Sequence, residues 1–243
     1  MPSAPPIGEV AGKKEHVGRM FDNIAPRYDL LNRVLSLGID RLWRKEVVRI
    51  LKRHPSPLHR ILDVATGTAD LAIESLSLNP EQIIGVDIAE EMLAVGRTKI
   101  DAAGAQNVIT LQPADAENLP FGDDEFDAVT VAFGVRNFEN LGLGLSEMSR
   151  VLKPGGKVVI LEFSQPRTFP IKQLYAAYSR FVLPHVGRVV SKDEGAYTYL
   201  PESVAAFPDG EEMTGIVERA GFSEVRSRPM TFGIVTIYHG QAV

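Results

Sequence analysis

Arg60-Ile61-Leu62-Asp63-Val64-Ala65-Thr66-Gly67-Thr68-Ala69-Asp70 is a short apolar run that ends in a carboxylate, passes through small residues and enters a helix-like segment at Asp70-Leu71-Ala72. A buried parallel strand that turns tightly into a helix, letting backbone approach a ligand, reads this way. Gly67 has no Cβ to obstruct that approach, and Ala65 and Ala69 are the next smallest choices. A second apolar run, Ile83-Ile84-Gly85-Val86, ends in Asp87. An acid at the end of the second strand suits the two hydroxyls of a ribose. Asp63, Gly67 and Asp87 together point to a nucleoside-containing cofactor.

The same turn discriminates between cofactors. A dinucleotide needs a pyrophosphate cradle, ordinarily G-x-G-x-x-G. The comparable frame, Gly67-Thr68-Ala69-Asp70-Leu71-Ala72, keeps one glycine and sets Asp70 at the helix N-terminus. A carboxylate there takes the positive end of the helix dipole that phosphate would use. Asp63 also suits a cation better than a diphosphate. S-adenosyl-L-methionine carries a sulfonium and an ammonium and no phosphate, so the balance favours a methyl donor over a nicotinamide dinucleotide. No G-x-x-x-x-G-K-[ST] occurs, which excludes a P-loop.

A chain of 243 residues suits one α/β domain with additions, here 13–243, behind a proline-rich tail (1–12) expected to be disordered. The absence of cysteine removes disulfides, thiolate metal sites and a thiol nucleophile. Five scattered histidines form no H-x-x-x-H, so no metal is expected. A net charge of −5 lacks the basic field of a non-specific nucleic-acid binder. No apolar run reaches the ~18 residues of a bilayer span, and the N-terminus lacks a signal-peptide core, so a cytoplasmic protein is expected. A homo-oligomer is compatible with the sequence.

N-terminal helices are expected over 13–55, with a break at Pro26. Within them Ile39 to Arg53 is basic and amphipathic: either a helix that lies transiently on an anionic membrane surface or a core-packed helix with a solvated face. Strands are expected at 60–65, 82–87, 107–112, 126–132 and 156–162, with helices near 70–79, 90–103 and 141–152. Lys153-Pro154-Gly155-Gly156 supplies a turn. The segment 166–208 has no obvious strand; Leu174, Tyr175, Tyr178, Phe181 and Val182 suggest one helix in an insertion over the sheet's carboxyl edge. A helix (209–220) and strands near 223–228 and 232–239 finish the chain. The whole reads as α/β: a Rossmann-like, doubly wound, mostly parallel seven-stranded sheet.

Ligands of such sheets sit outside the carboxyl ends of the strands. Asp115-Ala116 follows the third strand, where an acid can accept an adenine amino group or simply cap a turn. Phe133-Gly134-Val135-Arg136-Asn137 follows the fourth. There Arg136 either orients a substrate oxygen or braces the loop through a carboxylate. Tyr28, Tyr175, Tyr178, Tyr197 and Tyr199 read as core or lid packing, and His185 as structural.

Asp63-x-x-x-Gly67, Asp87, Asp115-Ala116-x-x-x-Pro120-Phe121 and Leu152-Lys153-Pro154-Gly155-Gly156 resemble class I S-adenosylmethionine-dependent methyltransferases. Longer strings narrow the resemblance to the quinone-biosynthesis C-methyltransferases: Tyr28-Asp29-Leu30-Leu31-Asn32 through Trp43, Arg150 to Gly156, Leu161-Glu162-Phe163-Ser164, Phe133 to Asn137, and Tyr197 to Ser203. The resemblance covers about 13–240. It implies cofactor contacts at Thr68, Asp87, Asp115 and Ala116, with Tyr28 on the substrate side. The implied partner is a polyprenylated quinol, methylated on a ring carbon, demethylmenaquinol to menaquinol or a benzoquinol counterpart. Asp40 stands where the family commonly has histidine, and Ala132 where some members have serine. Ala65 and Ala69 stand where glycine is common. The motifs of the cofactor fold alone also admit a methyltransferase for a sterol, phenol or phospholipid amine, or a nicotinamide-binding oxidoreductase.

Overall fold

In the computed structural model, which describes residues 12–178, 181 and 195–243, the alternation of strand and helix builds one seven-stranded sheet. The tail before residue 12, Val182, His185 and the Tyr197 side chain lie outside the described residues. The strands are β1 (Arg60–Val64), β2 (Gln82–Asp87), β3 (Ile109–Pro113), β4 (Phe126–Ala132), β5 (Leu152–Phe163), β6 (Phe222–Met230) and β7 (Val235–Ala242). Their spatial order is β3-β2-β1-β4-β5-β7-β6, and β7 runs antiparallel to both its neighbours while the other pairs are parallel. Ile61, Leu62 and Val64 of β1, and Val158 to Leu161 of β5, are wholly buried. Helices cover both faces of these strands, which is why they read as continuous apolar runs rather than alternating ones.

Helices α3 (Asp70–Ser75), α4 (Glu90–Ala102), α5 (Leu141–Val151) and, near the C-terminus, α8 (Glu211–Arg219) fall where periodicity puts them. Two expectations change. Pro26 does not break the first helix; α1 runs from Lys13 to Leu35 through it. Proline removes one N–H and crowds the preceding turn. Packing on both sides holds the helix across that defect: Ala25 lies against Ala89 and Met92, and Ile24 and Leu31 lie in a cluster with Tyr199. The turn expected at 153–156 is a bulge inside β5, where the register against β4 jumps from Phe126↔Leu152 to Ala128↔Lys157.

Helix α2 (Asp40–Leu51) also departs from a uniformly solvated basic face. Arg44 is buried and ion-paired with Asp40 (2.6 Å) and Asp70 (2.9 Å). Among its described residues the insertion contributes α6 (Ile171–Ala177) and α7 (Gly195–Ala206), where one helix is expected. Among the described residues no helix is long and apolar enough to cross a membrane.

The bulge closes the amino edge of the sheet. Asp127 accepts the backbone N–H groups of His59 (2.8 Å) and Arg60 (2.7 Å) and the Lys153 ammonium (2.6 Å). A Cβ on Gly156 would stand 2.8 Å from the Lys153 carbonyl oxygen and 3.2 Å from that of Asp127, neither of which can swing away. Gly156→Ala is therefore expected to cost about 1–3 kcal/mol in urea denaturation, the usual penalty for overpacking. Ligand affinity at the opposite edge should be unchanged.

Candidate active site

The strand order reverses between β1 and β4, and the turns that follow them form the floor of a cleft. Ala65 (φ 50°), Gly67 (φ 55°) and Ala69 (φ 63°) all hold left-handed backbone. Such a turn favours glycine and costs ~1 kcal/mol or more at each alanine, which explains why glycine is common there in the family that the sequence resembles. Beneath it Asp63 is buried, accepting the hydroxyls of Thr66 and Thr130, each at 2.6 Å. Burial pushes the Asp63 carboxyl up to about 6; the two hydroxyl bonds oppose that, and nearby Asp87 adds to it. Asp63 shapes the turn and does not line the cleft.

Asp87 does line it. One carboxylate oxygen accepts the Gly67 N–H (2.8 Å) and the other the Ala89 N–H (2.9 Å), which fixes the group at the end of β2. Burial raises its pKa, against those backbone bonds. Ala116 and Asp115 form the far side. Asp115 accepts the N–H of Glu117 (2.9 Å) on one oxygen and the Lys14 ammonium (2.7 Å) on the other, so both its oxygens are engaged. Thr68 turns away from the cleft: its hydroxyl donates to Asp29 (2.6 Å) and accepts from Lys99 (3.1 Å). Lys99 also bonds Asp29 and Asp70.

Next to the cleft lies a larger cavity of about 370 Å³ whose walls are mainly apolar and aromatic. The two spaces share Phe21 and Tyr28 of α1 and Phe133 after β4. The Phe21 and Tyr28 rings meet edge to face at 5.9 Å. Burial raises the Tyr28 pKa, so its hydroxyl keeps its proton. Arg136 lines the larger cavity, and the bracing contact is present: its guanidinium meets the fully buried Glu162 at 2.9 Å and also bonds the Phe133 carbonyl. Its Nε has no partner among the described residues.

The cleft therefore combines a fixed acid at a strand end, a backbone turn open to close approach, and apolar flanks at Ile88, Met92 and Phe138. Asp70, at the start of α3, is bound by Arg44 and Lys99, and no cation is offered to a pyrophosphate there. A nucleoside carrying positive charge fits this donor set; a dinucleotide does not. Among the described residues no cluster of His, Asp and Glu could hold a metal ion. Sequence reasoning brought Asp87, Gly67, Asp115, Ala116, Arg136 and Tyr28 to the two spaces. It missed Lys14, Val17 and Phe21, whose helical period is visible but whose docking partner is not, and it missed Glu162 as the partner of Arg136.

A sequence model of the ubiE/COQ5 methyltransferase family matches residues 9–242. The demethylmenaquinone methyltransferase of Bacteroides fragilis is 52% identical, over 96% of this chain and 95% of the relative. The ubiquinone/menaquinone biosynthesis C-methyltransferase UbiE of Geobacter sulfurreducens is 48% identical, over 94% of this chain and 89% of the relative. In fold the chain is similar to an S-adenosylmethionine-dependent methyltransferase of Thermotoga maritima (TM-score 0.63, 19% identity, 93% of this chain and 99% of that one).

Asp63 gives the site a pH dependence. Its folded pKa lies above the unfolded one, so the folded protein binds the extra proton, and this group's stabilisation is present below pH ~4 and lost as pH rises through about 6. The loss amounts to about 2–3 kcal/mol. In Asp63→Asn that component should vanish: the fall in Tm between pH 4 and 7 should be shallower than in the parent, as followed by differential scanning calorimetry of the ligand-free protein.

Proposed function

The chain belongs to the ubiE/COQ5 methyltransferase family, and we propose on that premise how its site works. It is an S-adenosyl-L-methionine-dependent C-methyltransferase of quinone biosynthesis, with residues 13–243 acting as one catalytic domain. The acceptor is a polyprenylated quinol, demethylmenaquinol, which becomes menaquinol. One observation carries this reading: the nucleoside cleft and the large apolar cavity share a wall of only three aromatic residues, Phe21, Tyr28 and Phe133. A polar donor and a greasy acceptor can thus be held side by side without water between them.

S-adenosyl-L-methionine supplies an electrophilic methyl group on a sulfonium. Asp87 takes the ribose hydroxyls, Gly67 lets the turn lie against the cofactor, Ala116 flanks the adenine and Asp115 receives its amino group once Lys14 yields that oxygen. Asp63 and Thr68 act behind them as positioning residues. A ring carbon is a poor nucleophile until an adjacent hydroxyl gives up its proton, so the site must favour negative charge on a ring oxygen. Arg136 is the cation in the cavity wall nearest in role to that task. Because Glu162 shares its charge, it stabilises a ring oxygenate less than a bare guanidinium would. Tyr28, protonated, donates a hydrogen bond and is not the base. The isoprenoid tail implies transient contact with a membrane surface.

Asp87→Asn should fold normally and bind S-adenosyl-L-methionine about 10–100-fold more weakly by calorimetry, the cost of a lost charge-assisted pair of bonds. Unchanged affinity would remove Asp87 from the site.

A quinone's carbonyls draw density from the carbon to be methylated, and the quinol reverses this. Transfer of labelled methyl should require pre-reduced demethylmenaquinol and rise with pH until the bound hydroxyl ionises. Equal rates with the quinone under strict oxidation would refute the acceptor assignment.

A further inference from the structure

We propose that the rim of the large cavity is a docking surface for an anionic lipid bilayer, and that Leu37 and Phe232 enter it first, so that the acceptor's tail passes from membrane to cavity without crossing water. The proposal rests on the polyprenylated-quinol reading for its purpose, but its geometry stands apart from it.

Three large apolar side chains line the cavity and yet stand in solvent: Leu37 (85% exposed), Phe232 (74%) and Leu174 (62%). They mark where the cavity opens. Leu37 and Phe232 each sit at the tip of a tight turn in left-handed backbone (φ 53° and 59°). That region is unfavourable for a side chain bearing a Cβ, and glycine or asparagine would normally occupy it. Both are exposed apolar residues held in unfavourable backbone at the mouth of one cavity. Strain kept at a surface is a sign of use.

The two tips are fixed relative to each other. The Trp43 indole N–H of α2 donates to the Thr231 hydroxyl (2.7 Å), tying the turn that carries Phe232 to the helix that follows Leu37. On the other side the Tyr178 hydroxyl donates to the Leu35 carbonyl (2.8 Å), tying the end of α6 to the end of α1. Leu30, Val34 and Leu42 extend the apolar surface outward and are also exposed.

Charge identifies the partner. The chain as a whole is acidic, with a net charge of −5. Yet within 30–45 the lone carboxylate is Asp40, which is buried and bound by Ser36 and Arg44, and neither 169–178 nor 225–242 contains any. Arg33, Arg41 and Lys45 are exposed beside Leu37 and Leu42 and form no ion pair among the described residues. Among the described residues, an apolar rim edged on the α1–α2 side with cations that form no ion pair, and with Glu202 of α7 as its exposed acid, matches an anionic bilayer surface on an otherwise acidic protein: apolar tips below the headgroups, cations among them. The basic end of α2 is a poorer candidate, since Arg49 is already paired with Glu46.

The full chain should float with phosphatidylcholine vesicles containing phosphatidylglycerol, in the absence of any quinone, and bind less as salt rises. Paired Val34→Glu and Leu42→Glu, neither of which lines the cavity, should weaken vesicle binding about tenfold or more. The pair should also raise KM for vesicle-embedded quinol while leaving turnover of a water-soluble, tail-truncated quinol as in the parent. Arg49→Glu should change little. Leu37→Trp places an indole at the rim against the background of the buried Trp43; its emission should shift to the blue with anionic vesicles and be quenched by brominated lipid. Absence of vesicle binding at low salt, full binding by the paired variant, or a blue shift that follows protein concentration without lipid would each overturn the proposal. The last would assign the rim to a second copy of the chain. Failure to methylate the truncated quinol, with vesicle binding intact, would instead refute the acceptor reading and leave the docking surface standing.

Discussion

Two turns must come into contact at the point where the strand order reverses, and the rest of the site follows from that approach. A Cβ on Gly134, after β4, would lie 2.5 Å from the Cβ of Ala65, after β1, and 3.0 Å from Val131. The turns close because one of them carries glycine and the other accepts left-handed backbone at Ala65. Their closure brings Gly67, Asp87 and the Phe133 ring to one cleft floor. The buried Asp63 beneath them, bonded to Thr66 and Thr130, holds the two strands' ends in step. A buried acid with two hydroxyl donors costs stability when ionised, and the fold accepts that cost where it fixes a binding turn.

Charge is handled on the same plan throughout the core of the site. Arg44 meets Asp40 and Asp70, Lys99 meets Asp70 and Asp29, and Arg136 meets Glu162. Arg44 and Lys99 link α1, α2, α3 and α4 through Asp29 and Asp70, and Arg136 ties the loop after β4 to the end of β5. The buried pairs among them, Arg44–Asp40 and Arg136–Glu162, add little net stability over apolar packing, but breaking one leaves an uncompensated charge. The Lys99–Asp29 pair ties α1 to α4. That matters because α1 supplies wall to both the strand-end cleft and the apolar cavity, through Lys14 and Val17 at one end, Leu31 and Leu35 at the other, and Phe21 and Tyr28 between.

One helix thus walls both spaces, and its far end reaches Leu35 at the exposed side of the larger cavity. Pro26 in its middle is tolerated because the packing of Ala25, Ile24 and Leu31 on either side outweighs one lost hydrogen bond.

The sequence by itself determined the sheet, its direction, the strand-end acid Asp87 and the preference for a cationic nucleoside over a dinucleotide. These rest on local patterns: apolar runs, a small-residue turn, and an acid at each strand end, whose consequences are fixed within a few residues. The family strings added quinone-biosynthesis C-methylation. Only the tertiary structure decided which side chains are free. Thr68 and Asp63 read as ligands in the turn but are turned toward Asp29 and Thr130, partners far away in sequence. Arg136 offered two roles of equal weight, and the acid that claims it, Glu162, is a strand residue with no helical or turn spacing to betray the pair. The continuity of α1 through Pro26, the contact of Lys14 with Asp115 and the apolar rim around Leu37 and Phe232 are likewise long-range. Periodicity tells which face of a helix is apolar; what that face meets is set by the packing of the whole chain.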